Sequence, residues 1–209
     1  MTLDQHPDPA RTSVSYSLVL PPGWSKIPLR SNTDEAVRDI AKRAFANISD
    51  DVPPDEVVKY RTQLEGQLLR TAAQAADHFG VDLYLATEPR GGVVVPASFI
   101  VSELQLAGSG HADPGDVVRQ LAQGEGQQVT LGEVSGTRAE YVTGAAPDRG
   151  IGEAARHVDY VLPVPGEVGR WLTLAFSTPA DGDAKGVFAD LLVELFDAIM
   201  STFRWSEAD

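Results

Sequence analysis

The chain has 209 residues, of which 43% are hydrophobic, and it carries a net charge of −13. This length and composition predict one globular domain with a substantial core. The absence of cysteine excludes disulfides, thiolate catalysis and cysteine metal sites. The acidic balance, without a basic stripe, argues against nucleic acid and anionic membranes as partners. Solubility alone would account for the charge, and a basic segment of another protein is the sharper alternative.

Residues 1–12 are polar and contain prolines. We expect a flexible arm there and not a secretory signal, because a basic region followed by an apolar one is missing. No apolar run approaches the roughly 18 residues that a membrane span needs. These features predict a cytoplasmic protein whose single domain covers residues 13–205, followed by a tail at 206–209.

The first predicted structure is a β-hairpin. Apolar and polar residues alternate over residues 15–20, as in a half-buried strand. Pro22-Gly23 is a turn dipeptide, because proline presets its φ and glycine accepts a positive φ. A second strand then runs over residues 24–29 and begins with a tryptophan.

Two helices are predicted next. Asn32 or Thr33 can cap the first helix, whose apolar residues fall on one helical face up to Phe45. Pro53-Pro54, followed by two acidic residues, suits the first turn of a second helix. Apolar residues at helical spacing extend this long helix to Gly80.

A strand over residues 81–86 and an extended run over 93–106 follow. Pro96 inside that run implies an edge position, a bulge or a late strand start. Asp113 and Pro114 then mark the start of a short helix, since aspartate is a good N-cap and proline suits the first helical position.

The last third of the chain predicts four strands and a helix. The strands cover residues 127–134, 137–143, 156–164 and 169–177. The helix shows the strongest periodicity in the chain, with apolar residues on one face from Val187 to Phe203. Successive strands with helices packed on them predict an α+β fold with an antiparallel sheet of about six to eight strands.

The order of elements resembles the PsbP-like superfamily over nearly the whole chain. Two motifs carry the resemblance: the turn Leu20-Pro21-Pro22-Gly23-Trp24, and a closing helix that ends in Ser201-Thr202-Phe203-Arg204-Trp205. That superfamily includes a photosystem subunit, a Ran-binding nuclear transport factor, secretion-effector chaperones and mycobacterial lipoproteins. We expect no leader and find no cysteine for lipid attachment, unlike in the secreted members. The resemblance implies a binding scaffold, because familiar members mostly dock other macromolecules.

Three of the four histidines begin a His-x-Asp triplet, at His6, His111 and His157. Only the third triplet falls in a predicted strand, where both side chains would share one face. Such a pair could bind zinc or act as a base with its orienting carboxylate. A catalytic zinc usually needs three protein ligands, however, so a structural role is the favoured interpretation.

The structural interpretation is a polar cluster on two paired strands. If Arg138 faces Asp159 across an antiparallel pair, then Glu140 faces His157. Both pairs would then be complementary in charge on one face of the sheet. A slip by two residues would instead place Glu140 opposite Asp159, which is repulsive.

Four aromatic residues lead strands of mixed polarity: Tyr84, Tyr141, Tyr160 and Trp171. Packing in the core is favoured for them. The alternative is a docking surface, because exposed tryptophan, tyrosine and arginine are frequent binding hot spots. The register proposed above would also place Tyr141 opposite Arg156, in position for a cation–π contact.

Signatures of catalysis are missing. Gly108-Ser109-Gly110 is not a nucleophile elbow, and Gly91-Gly92 is not a phosphate loop. We therefore assign no catalytic, metal-binding or cofactor-binding residue. The sequence predicts a non-enzymatic protein-binding adaptor or chaperone-like domain, or a structural component of a larger assembly. The alternative is a small-molecule binder or enzyme with a polar site between sheet and helix, made by Arg138, Glu140, His157 and Asp159.

Overall fold

The computed structural model describes residues 14–46, 48, 52–89, 95–105, 126–145 and 153–207. Three helices and nine strands lie in these ranges. In chain order they are β1 Val14–Ser17, β2 Trp24–Pro28, α1 Thr33–Ala44, α2 Pro54–Asp77, β3 Gly80–Ala86, β4 Ser98–Gln105, β5 Gly126–Leu131, β6 Val134–Thr143, β7 Ala155–Pro163, β8 Arg170–Thr178, α3 Val187–Ser201 and β9 Arg204–Glu207. The predicted arm at 1–12, the short helix at Asp113, and His6 and His111 lie outside the described residues.

Seven strands form one antiparallel sheet in the order β2-β3-β4-β8-β7-β6-β5. Strands β1 and β9 form a separate two-stranded ribbon. The predicted α+β class and antiparallel sheet are therefore confirmed. Strand β4 begins only at Ser98, so Pro96 corresponds to the late strand start that was one of its three predicted roles.

The predicted opening hairpin is wrong, although its turn is present. Gly23 has a φ of 86°, and the Trp24 amide donates to the Pro21 carbonyl at 3.3 Å. The two arms pair elsewhere: β1 pairs with β9, and β2 pairs with β3. The arms separate because they bury their apolar residues in different layers. Tyr16 of β1 stacks on Phe203 with ring centroids 6.0 Å apart, whereas Ile27 of β2 is fully buried in the α1–α2 layer.

Part of the predicted tail is also ordered structure. Ser206 lies in β9 and pairs with Ser15 of β1. Trp205 packs edge-on against Phe203, with ring centroids 5.0 Å apart. These contacts join the two ends of the described chain on the same side of the sheet as α3.

Helix α3 packs on one face of the sheet, which we call the α3 face. Its buried residues are Ala189, Leu192, Val193, Phe196, Ile199 and Met200. The periodicity predicted most of this face, but Val187, which it also placed there, is exposed. Phe196 lies at the centre, with its ring 4.8 Å from that of Phe176 and 5.3 Å from that of Phe99. Strands β4 and β8 supply these two rings.

The opposite face, the α1–α2 face, is covered by the first two helices at one end. Its core consists of Ile27, Val37, Ile40, Leu68, Ala72 and Leu83. The predicted cap of α1 differs from the structure: Asn32 makes no capping side-chain bond, and the Thr33 hydroxyl donates to the Pro28 carbonyl at 2.7 Å. A smaller group, Ala139, Val161 and Trp171, lies on the same face beyond these helices.

Candidate functional site

The predicted register of β6 and β7 is wrong by one residue. Arg138 lies opposite Tyr160, and Tyr141 lies opposite His157. The expected cation–π contact between Tyr141 and Arg156 is therefore absent from this strand pair. The Tyr141 ring instead stacks on the His157 imidazole, with centroids 5.0 Å apart.

The one-residue difference divides the predicted polar cluster between the two faces. Arg138 and Glu140 lie on the α3 face, and His157 and Asp159 lie on the α1–α2 face. The cluster predicted for one face is thus corrected. Burial explains the outcome: this register places Val158, which is fully buried, in the α3 core. Burying such a side chain contributes roughly 1.5–3 kcal/mol, more than a cross-strand charge pair.

Arg138 and Glu140 belong to an ion-pair network that holds α3 on the sheet. Arg138 donates to Glu140 at 2.7 Å and to Asp197 of α3 at 2.9 Å. Arg156 donates through Nε to the other oxygen of Glu140 at 2.7 Å. Burial acts to raise the pKa of Glu140, but the two guanidinium groups outweigh it and hold that pKa below its usual range. Every charge in this network has a partner, which indicates a structural role.

A second polar cluster, which the sequence analysis missed, ties the β1–β9 ribbon to the sheet. The Tyr16 hydroxyl donates to the buried Asp82 carboxylate and lies 3.0 Å from the Tyr84 hydroxyl. Lys26 approaches the same carboxylate at 2.9 Å. The sequence did contain a sign of this cluster. The alternation of β2 places Lys26 on the same face as the apolar Trp24, where a charged residue needs a partner. These groups also satisfy one another, and burial is the main cause that raises the pKa of Tyr16.

The four aromatic residues do not form one docking surface. Tyr84 and Tyr160 belong to the core on the α3 face, whereas Trp171 and Tyr141 lie on the opposite face. Tyr84, Tyr160 and Trp171 are each only 4% exposed. The candidate aromatic surface is thereby corrected in favour of core packing for these three, because each side chain is buried in a hydrophobic cluster.

Asp159 has an unusual environment on the α1–α2 face. The only hydrogen bond to its carboxylate among the described residues comes from the Tyr141 hydroxyl, at 3.0 Å. Burial raises the pKa of Asp159 to about 6, and the bond from Tyr141 only partly opposes this. The neighbouring His157 is engaged with the Thr143 hydroxyl at 2.9 Å, and burial lowers its pKa.

Asp159 lines a cavity of about 180 Å³ in the middle of the sheet. Side chains of β4, β7 and β8 form its floor, and the end of α2 forms a wall; the lining residues are His78, Ser102, Leu104, Asp159, Val161, Thr173 and Ala175. Small residues on the floor leave the space open. An apolar cavity of about 150 Å³ holds benzene, so this one is large enough for a side chain of comparable volume.

The carboxylate of Asp159 differs from the other acidic groups of the described residues. Each of the other carboxylates that is at least partly buried forms an ion pair: Glu65 with Arg61, Asp82 with Lys26, Glu103 and Glu167 with Arg170, Glu140 with Arg156, and Asp197 with Arg138. Among the described residues, Asp159 alone of this group has no cation. A partly buried carboxylate without a counter-ion is costly, so a cation entering the cavity would be stabilised.

Phe79 is exposed next to the cavity wall. It follows His78 directly, has a φ of 63°, and is 70% exposed. A bulky residue in the left-handed region is uncommon, because Cβ crowds the backbone there. Strained residues of this kind cluster at binding sites. Neither His78 nor Phe79 was among the predicted site residues, because the helix was predicted to continue to Gly80, whereas it ends at Asp77.

The described residues contain no group of three or more His, Cys, Asp or Glu side chains arranged to hold a metal ion. None of the helices in this part of the chain combines the length and the apolar character that crossing a bilayer requires.

Comparisons with known proteins give limited information. No protein-family model matches the chain, and no curated protein matches it. Among solved structures it is similar to LpqN, described as involved in cell envelope biogenesis of Mycobacterium tuberculosis. The alignment covers 96% of this chain and 87% of LpqN, with 15% identity and a TM-score of 0.49. A likeness this remote carries no argument about function.

Proposed function

We propose that this chain is a non-enzymatic protein-binding domain that takes up a lysine or arginine side chain of its partner in the Asp159 cavity. One observation carries the proposal. Among the partly buried carboxylates of the described residues, Asp159 lacks the counter-ion that the other six have. A basic side chain of a partner would supply that counter-ion.

The cavity suits the stem of such a side chain as well as its charge. Lysine and arginine bury an apolar stem and carry a charged head. Leu104, Val161 and Ala175 offer apolar contacts to the stem, and Asp159 offers an acceptor to the head. The net charge of −13 would also steer a basic segment toward the protein.

Phe79 would extend the contact outside the cavity. Aromatic side chains near the centre of an interface often carry much of the binding energy. The Phe79 ring is 70% exposed and its backbone is strained, so this residue contributes little to the stability of the fold. Such a residue supports a role in binding.

A hydrolytic reaction is the less favoured interpretation. Ser102, His78 and Asp159 all line the cavity, which is the residue set of a nucleophile, a base and an orienting acid. No hydrogen bond joins any two of them among the described residues, and Nδ1 of His78 faces the Gln74 carbonyl at 2.7 Å. A relay needs those bonds.

A small organic cation is the second candidate for the cavity. The volume of about 180 Å³ would accommodate such a molecule without any partner protein. The sequence analysis placed a small-molecule site at Arg138, Glu140, His157 and Asp159. Because Arg138 and Glu140 lie on the other face, the proposed site now includes only Asp159 of the residues that were to hold the ligand's charge.

Family and location complete the proposal. The order of strands and helices supports membership of the PsbP-like scaffold class. We further propose a cytoplasmic protein that binds neither nucleic acid nor membranes, on the support of its acidic composition.

The test is an NMR titration at pH 7.5 with a blocked pentapeptide that has a central lysine between alanines. We expect the peptide to shift the Asp159 carboxyl carbon and to bind at least about ten-fold more weakly to Asp159→Asn, which removes one charged hydrogen-bond partner. Binding should also weaken below about pH 6, because Asp159 then takes up a proton.

Glu194→Gln is the matched control, since it makes the same change of charge at an exposed position on α3. A norleucine peptide, which lacks the ammonium group, should bind far more weakly. Equal binding of the two peptides, or unchanged affinity in Asp159→Asn, would contradict the proposal. Tighter binding of free n-butylammonium than of the lysine peptide would favour the small-molecule alternative.

A further inference from the structure

A larger cavity lies at the end of the sheet near β9, away from Asp159. Its volume is about 510 Å³. The turn between β5 and β6, the segment after β7 and the start of β9 enclose it; the lining residues are Leu131, Gly132, Glu133, Val134, Pro165, Phe203, Arg204 and Trp205. Pockets for small ligands usually measure about 300–1,000 Å³.

The lining of this cavity is mainly apolar and aromatic. Leu131 and Phe203 belong to the buried core, and Val134 and Trp205 pack against it while remaining partly accessible. Ligand pockets typically combine such a wall with a small number of polar groups that fix the orientation of the ligand. Glu133 and Arg204 are the two charged residues in the lining.

Arg204 is available to a ligand. Its Nη1 donates to the carbonyls of Ser201 and Phe203, at 3.2 and 2.6 Å. These bonds hold the guanidinium in place and leave Nε and Nη2 without a partner among the described residues. No carboxylate in the described part of the chain, Glu133 included, forms an ion pair with Arg204. The guanidinium also lies against Gly132, where an added Cβ would be 3.5 Å from Nη1.

We propose that this cavity binds an amphipathic carboxylate, with its alkyl chain on Val134 and Trp205 and its carboxylate on Arg204. Arginine favours this head group because its planar fork of donors matches the two oxygens of a carboxylate. The apolar wall favours an alkyl body by excluding it from water. The site is separate from the Asp159 cavity and does not depend on the function proposed above.

Calorimetric titration with octanoate tests the proposal on the full chain. We expect octanoate to bind and octylammonium to bind at least about ten-fold more weakly, because the guanidinium repels the ammonium. Arg204→Gln should weaken octanoate about ten-fold, which corresponds to one charge-assisted hydrogen bond. Val134→Phe and Pro165→Phe should each obstruct the part of the cavity proposed for the alkyl chain and so weaken binding.

Pro165 lies in an exposed turn, so its variant should fold even if that of Val134 does not. Circular dichroism checks folding in each case. Octanoate affinity that is unchanged in a folded cavity-filling variant would overturn the site. Equal binding of octanoate and octylammonium, or unchanged affinity in Arg204→Gln, would overturn the assignment of the head group, and absence of octanoate binding at millimolar concentration would overturn the proposal as a whole.

Discussion

At the scale of single residues, two aspartates on strands β3 and β7 of one sheet have opposite environments. Asp82 accepts from Lys26 and from the Tyr16 hydroxyl, so its charge is compensated. Asp159 accepts only from the Tyr141 hydroxyl among the described residues. Neighbouring elements in the described part of the chain supply a lysine to Asp82 but no cation to Asp159. This difference explains why we place the candidate binding site at Asp159.

Phe79→Gly should raise the free energy of unfolding by about 1 kcal/mol, because glycine is preferred in the left-handed position that ends a helix. The ring of Phe79 is 70% exposed, so removing it loses little packing. Urea unfolding at pH 7.5 measures the effect. Phe79→Ala is the control, since it removes the ring and keeps the strained Cβ, and it should give no such gain. A Phe79→Gly variant less stable than the natural chain would show that the ring or its backbone contributes to folding.

At the scale of elements, Gly136 marks a close approach between β6 and β7. Gly136 of β6 lies where a Cβ would be 2.7 Å from the Val161 carbonyl oxygen and would also meet the Leu162 side chain. The buried Leu162 therefore fills the space that a side chain at Gly136 would need. A glycine in a strand interior is often a sign of such an approach.

Gly136→Ala should lower the free energy of unfolding by about 2 kcal/mol, because overpacking displaces the β7 backbone. Thermal unfolding followed by circular dichroism would measure it. Gly144→Ala is the matched control, since an added Cβ there has nothing within 4 Å. Equal stability of the two variants would mean that β6 and β7 separate at no cost.

At the scale of the whole molecule, most of the partly buried carboxylates in the described residues form ion pairs with lysine or arginine. Glu103 shows the pattern: burial acts to raise its pKa, but the guanidinium groups of Arg30 and Arg170 outweigh it and lower that pKa. Glu140 is held in the same way. The pKa of Asp159 is raised instead. Ionisation of Asp159 therefore lowers the stability of the fold, whereas ionisation of Glu103 and Glu140 raises it.

Two opposing trends should therefore shape the dependence of stability on pH. The contribution of Glu103 and Glu140, whose pKa values are lowered, is present above their ordinary pKa and is lost as the pH falls through their folded values. Asp159, whose pKa is raised from 3.8 to about 6, has the opposite sign: stability falls as the pH rises from about 4 to 6.

Urea unfolding between pH 3 and 8 measures this profile. Asp159→Asn should be more stable than the natural chain by about 2 kcal/mol at pH 7.5 and equal to it near pH 4, because the protonated aspartate resembles asparagine. An unchanged difference at both pH values would show that the effect of the substitution comes from packing and not from charge.

Local patterns in the sequence were enough to predict most of the helices and strands and the class of the fold. Apolar spacing located α3 and the long helix α2, since the period of a helix is a local property. The alternation of strands β3, β7 and β8 was equally visible. The antiparallel sheet followed from the succession of strands, and the absence of cysteine needed no structure at all.

The pairing of the strands, their register and the charges left without a counter-ion all depended on contacts between residues far apart in the chain. Local sequence does not indicate that β1 pairs with β9 and not with β2. That pairing joins residues about 190 positions apart, as in the contact of Ser15 with Ser206. The register of β6 and β7 depended on burying Val158 against α3, and charge complementarity was too weak to oppose it. Asp159 became a candidate site for the same reason: whether a carboxylate has a counter-ion depends on side chains that only folding brings together.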